Sequence, residues 1–148
     1  MTELFNSTFE VSLRALLLLS QITDVNMTID RLVAYDCISL YSRHFDLADI
    51  NLHGDNEYGF SELSARRIVM QAALKELVLD GLTKATRQKD GFCYEITDVG
   101  VAFCQKQTTD YANTYRQLAM ETHKKFKAMT EVEIMAVISQ KATYALRR

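Results

Sequence analysis

The densest collection of residues able to do chemistry lies between His44 and Tyr58. His44, Asp46, Asp49, His53 and Asp55 follow the pattern H-x-D-x-x-D-x-x-x-H-x-D, with Asn56, Glu57 and Tyr58 directly behind. Imidazoles and carboxylates are the donors that zinc and other divalent ions use. Their spacing here matches no motif with a known mechanism. Asp55 and Asn56 beside Gly54 also suit a turn, because their side chains bond the nearby backbone and tolerate left-handed conformations. The stretch is therefore read as an ordered loop that sets the start of a helix and offers His53, Asp55, Asn56 and Tyr58 to a protein partner. No metal and no cofactor is expected.

Other candidate nucleophiles have plainer explanations. Gly59-Phe60-Ser61-Glu62-Leu63 begins like a G-x-S-x-G elbow, but Leu63 stands where the second glycine belongs and no strand precedes it. Ser61 is explained as a helix cap. Neither G-x-x-x-x-G-K-[ST] nor G-x-G-x-x-G occurs, so ATP hydrolysis would have to come from a partner. Cys37, Cys93 and Cys104 are odd in number and lack a C-x-x-C pair. They read as small buried hydrophobes. No catalytic residue is assigned.

Two groups of side chains suit binding. Arg66, Arg67, Gln71 and Lys75 fall in one helix, and Lys84, Arg87 and Lys89 in a following hairpin, so together they form a possible nucleic-acid face. The alternative is a solvated charged face. Further on, Tyr111, Tyr115, Leu118, Thr122, Phe126 and Met129 are spaced 4, 3, 4, 4 and 3 residues apart. This narrow seam either packs on the body of its own domain or joins a partner's helix. Lys124, Lys125 and Lys127 flank it.

The elements that must position these groups follow from caps and periods. Ser7-Thr8-Phe9-Glu10 is a capping box that opens a helix from about Thr8 to Ile22, with Phe9, Leu13, Leu16 and Leu17 on its apolar face. Thr28 caps a second helix, in which Ile29, Leu32, Val33, Cys37, Leu40 and Tyr41 recur at helical spacing. Ser61 caps a third, whose stripe Leu63, Met70, Leu74, Leu77 and Val78 is expected to be buried and which Gly81 stops. Leu82–Arg87 and Phe92–Thr97 flank a turn ending in Asp90-Gly91, the signature of a β-hairpin. Thr97 caps a short helix to about Gln107. A helix carrying the seam follows, and Thr130-Glu131-Val132-Glu133 opens a last one with Ile134, Met135, Ile138, Ala142 and Leu146.

Three helices, a hairpin and a further helix give a mainly α winged-helix fold with a C-terminal helical extension, divided at residues 1–107 and 108–148. The 148 residues carry 48% apolar and 24% charged side chains and no proline, an ordinary globular composition that favours uninterrupted helices. No run approaches the ~20 apolar residues that span a bilayer. The acidic start lacks a signal peptide's basic region, so a cytoplasmic location is expected. The net charge of −2 hides an uneven distribution: −6 over residues 1–60 and +4 over residues 105–148. Such a dipole suits protein docking at least as well as DNA binding.

Two resemblances sharpen this. Tyr94-Glu95-Ile96-Thr97-Asp98-Val99-Gly100 resembles the Y-x-[LI]-T-x-x-G end of the wing in bacterial winged-helix regulators. "FEVSLRALLLL", "MTIDRLVAYDCISLYSRHF", "NLHGDNEYGFSE" with Ala65-Arg66-Arg67, and "GFCYEIT" resemble the middle component of ABC three-component systems. The small accessory subunit of Lamassu-type anti-phage defence plays the same role. The resemblance covers most of the first 100 residues, with Leu52 to Asn56 its most specific part, and is weak beyond Lys106. It implies a non-catalytic adaptor between an SMC-like ATPase encoded nearby and an effector, often a nuclease. The alternative is a winged-helix transcriptional regulator that dimerises through its last two helices.

Overall fold

A computed structural model describes residues 7–49, 52, 63–89 and 91–146. Helix α1 (Thr8–Gln21) leads through a short strand β1 (Met27–Thr28) into α2 (Ile29–Leu40) and a 3-10 turn at Ser42–Phe45. Helix α3 (Leu63–Leu79) precedes strands β2 (Thr83–Gln88) and β3 (Gly91–Ile96). Helices α4 (Asp98–Gln105), α5 (Asp110–Phe126) and α6 (Glu131–Leu146) complete the chain. The molecule is mainly helical with a small antiparallel sheet of order β1-β3-β2.

Three caps act where the sequence places them: Ser7 accepts from the Glu10 amide, Thr28 from Arg31 and Thr97 from Gly100. Thr109, not expected as a cap, caps α5 by accepting from Ala112. At α6 both bonds of the capping box form: Glu133 N–H donates to Thr130 Oγ1 at 3.2 Å, and Thr130 N–H to Glu133 Oε1 at 3.0 Å. Gly81 stops α3 with φ of +76°, and Gly91 opens β3 with φ of +117°, conformations that only glycine adopts freely. The hairpin register runs from Thr83 opposite Ile96 to Gln88 opposite Gly91. Strand β1 was not expected. Its two residues are too few to show a period, and they become a strand because Met27 and Thr28 line up beside Tyr94 and Cys93.

Helix α2 is the axis of the core. Every residue from Arg31 to Leu40 is buried, with α1, α3, α5 and α6 packed around it. One hydrophobic cluster extends from Val11 on α1 to Ile138 on α6 and takes in Met70, Leu74, Tyr115, Ala119, Phe126 and Ile134. Helices α5 and α6 therefore share the core of the first 107 residues. Cys37, Cys93 and Cys104 form no disulfide and are all buried. Burial pushes the Cys37 thiol up to about 12.

Two core assignments need correction. Phe9 is 71% exposed. The first turns of α1 are buried along Val11, Ala15 and Leu18, and position 9 lies half a turn away from that arc at 100° per residue. Val78 is exposed for a similar reason, since α3 buries Met70, Ala73, Leu74 and Leu77, and position 78 falls outside their arc. Ala142 and Leu146 lie outside the described side chains, and Ser61 outside the described residues.

Candidate functional site

His53, Asp55, Asn56 and Tyr58 lie outside the described residues. The described candidates separate into a buried set that joins helices and an exposed set on α3 and the hairpin.

Two polar chains run through the buried set. In the first, Arg14 on α1 forks onto Asp36 on α2, with Nε at 2.8 Å from Oδ1 and Nη2 at 3.3 Å from Oδ2. Tyr115 Oη donates to the same Oδ1 at 2.5 Å, and Arg14 Nη1 reaches Tyr111 Oη at 3.5 Å. Burial works to raise the Asp36 carboxyl, but the charge of Arg14 and the bonds from Arg14 and Tyr115 hold it below its ordinary value. Burial and the neighbouring carboxylate push Tyr115 well above the usual phenol range, so it stays a donor. The arrangement pins α1, α2 and α5 together.

The second chain begins at Arg31, whose Nη1 donates to Tyr35 Oη at 3.0 Å. Tyr35 Oη lies 2.9 Å from His123 Nδ1, and His123 Nε2 lies 2.7 Å from Asp24 Oδ1. Arg31 also donates to Glu131 Oε1 at 2.8 Å and to the Met129 carbonyl at 2.6 Å. Carboxylate, imidazole and hydroxyl stand in the order of a nucleophilic triad. Tyr35, however, is completely buried and already accepts from Arg31. No substrate can approach that oxygen, so the chain joins α2 to the turn between α5 and α6.

These contacts locate the expected partner seam. Tyr115, Leu118 and Phe126 are buried in the chain's own core, and Tyr111 is half-buried beside Arg14. The seam thus takes the first of its two alternatives and is occupied from within. The flanking lysines are engaged as well: Lys124 with Glu121, Lys125 with the Phe45 carbonyl at 2.7 Å, and Lys127 with Asp24 at 3.7 Å. Part of the acidic-to-basic dipole is therefore neutralised inside the molecule.

The exposed set looks different from the basic stripe expected of it. Arg66 is half-buried, its guanidinium 5.4 Å from the Tyr41 ring centre and Nη2 at 3.2 Å from the Tyr41 hydroxyl. Arg67 is exposed and bonded to Asp30 at 2.8 Å. Gln71 and Lys75 are exposed, but between and beside them stand Ala65, Ile68, Ala72 and Leu79, also exposed. Ile68 and Leu79 leave 70% and 75% of their surface open. In the hairpin, Lys84 pairs with Glu95 directly opposite at 2.7 Å, while Arg87 and Lys89 are exposed.

The sequence of residues 4–148 matches the ABC-three component (ABC-3C) system Middle Component 2 family. The chain belongs to that family. No curated protein and no solved structure matches it. The Thr97-to-Gly100 stretch owes its residues to geometry. Thr97 Oγ1 accepts from the Gly100 amide and lies 2.7 Å from the Gly81 carbonyl oxygen, to which its hydroxyl can donate. A Cβ on Gly100 would overlap the Leu82 carbonyl oxygen. Threonine caps α4 and ties it to the end of α3, and glycine permits the close approach. No local spacing links the buried polar residues, because Arg14 and Asp36 lie 22 residues apart and Tyr35 and His123 lie 88 apart. A signal did exist: Arg14 and Asp36 sit among apolar residues of helical period, where a charge needs an opposite partner.

Proposed function

We propose that this Middle Component 2 chain is a non-catalytic adaptor of winged-helix type. In the cytoplasm it links an SMC-like ABC ATPase to an effector subunit in anti-phage defence, as the small accessory subunit does in Lamassu-type systems. Family membership over residues 4–148 supports a place in a multi-component system. The element order, with the strand before α2 joining a hairpin as β1-β3-β2, supports the winged-helix assignment.

The observation that carries the adaptor role is the outward face of α3. It exposes Ile68 and Leu79 with Ala65 and Ala72, while Arg67 is already bound to Asp30. Phosphates would meet few uncommitted cations there, whereas a protein surface would find apolar side chains with a polar rim. The test is co-expression with the neighbouring genes and affinity recovery of this chain, as wild type and as Ile68→Asp/Leu79→Asp. Recovery of a coiled-coil ATPase and a third subunit by wild type, with loss in the variant, is the expected result.

A second function, DNA-binding regulation, is favoured by the exposed Arg87 and Lys89 on the hairpin. It would be chosen if the chain were recovered alone, as a stable dimer that shifts a fragment of its own promoter at moderate salt.

A further inference from the structure

Strand β2 lies at the outside of the sheet, so one side of its backbone has no strand beside it among the described residues. It is six residues long, lies in continuous register with β3, and is exposed from Lys84 to Gln88. An edge of this kind presents a row of backbone donors and acceptors to any extended segment that can pair with it. Its side chains decide which segment. Thr83-Lys84-Ala85-Thr86-Arg87-Gln88, with Lys89 beyond, contains three cations and no carboxylate. Glu95 neutralises Lys84, while Arg87 and Lys89 form no ion pair with any described residue.

The same charges exclude a second copy of the chain. In the antiparallel register that would pair all six residues of two β2 strands, Lys84 of each copy faces Arg87 of the other, and opposed like charges destabilise a strand pair. We infer that β2 is the docking edge for an extended acidic segment of a partner protein, which adds to the sheet as a fourth strand. This deepens the adaptor function and rests on it. Residues 84 and 87 are three apart and so point to opposite faces of the strand. A segment with acidic residues three apart would satisfy both faces.

The probe is a capped eight-residue peptide of threonine and valine with glutamate at its third and sixth positions. Its control carries lysine at both. Fluorescence anisotropy with the full chain measures binding, and amide hydrogen exchange locates it. The glutamate peptide is expected to bind and to slow exchange in β2. Arg87→Glu should weaken it by about threefold, the scale of one cross-strand charge pair. The same variant should gain affinity for the lysine peptide, a reversal that misfolding could not produce. Unchanged exchange in β2 at saturating peptide would overturn the inference. So would a short DNA duplex that protects β2 and displaces the peptide, since the edge would then be a nucleic-acid surface. The adaptor function fails separately: subunits that assemble with β2 unprotected remove this edge and leave the adaptor, whereas peptide binding without assembly does the opposite.

Discussion

Helices α2 and α3 pack against each other and are built to opposite ends. Helix α2 has no solvent face from Arg31 to Leu40, and its polar residues Arg31, Tyr35, Asp36 and Ser39 all meet side chains from elsewhere in the chain. Helix α3 buries Met70, Ala73, Leu74 and Leu77 and leaves Ile68 and Leu79 in water. Polar residues sit inside where they specify how helices join, and apolar residues sit outside where no described residue covers them. Burial alone accounts for the first arrangement, because an unpaired buried charge is expensive and a paired one is tolerated. It does not account for the second, which is why α3 carries the functional assignment.

The sharpest way to break the α2 side is to leave one buried charge alone. Asp36→Ala takes the carboxylate away from the completely buried Arg14 and should cost ~3–5 kcal/mol, read from urea unfolding. A double Arg14→Met/Asp36→Leu change removes both charges and should be far milder. If both variants were equally destabilised, the cost would come from the pair's lost contacts and not from an uncompensated buried charge.

Acid tests the same pair without mutation. The Asp36 carboxyl is held below its ordinary value, so its contribution is fully present above about pH 4, where the unfolded carboxylate ionises, and is lost as pH falls through the folded value. Melting temperature of the wild type should therefore fall more steeply between pH 5 and 2 than that of Asp36→Asn. Parallel curves would contradict this.

The next effect lies where α3 hands over to α4. Gly100→Ala drives a methyl into the Leu82 carbonyl and should cost roughly 1–3 kcal/mol, as overpacking does, although alanine is the better helix former. A gain in melting temperature would show that the two segments can separate at no cost. Either result decides whether α4 holds the end of α3 in place.

How much of this was legible in advance depended on whether the signal was local. Caps at Ser7, Thr28, Thr97 and Thr130 act within three residues. The hairpin and the Gly81 stop are equally local, so the helical order could be read from the sequence within a few residues. Phe9 and Val78 were misplaced because the stripe they were assigned to was drawn from residue type, whereas their exposure follows from the angle at which neighbours approach. The seam at Tyr115, Leu118 and Phe126 looked the same whether its partner was internal or external, because periodicity states that a face is covered and not by what. Of the proposed site, the cations on α3 and the hairpin could be found by type. That Arg67 belongs to Asp30 and Lys84 to Glu95 depended on folding.

The smallest stability effect is the one that most directly tests the contrast between the two helices. Ile68→Ser removes an exposed side chain from the outward face of α3 and should change unfolding free energy by no more than ~0.5 kcal/mol, as surface substitutions do. Its effect on subunit recovery should be large by comparison, because an apolar residue that contributes little to folding while fully hydrated contributes most when a partner removes it from water. A substitution on α2 behaves the other way, reducing folding and assembly together. If Ile68→Ser instead lowered stability by more than 1 kcal/mol and left recovery intact, the outward face of α3 would be part of the fold, and the contrast with α2 would be one of degree.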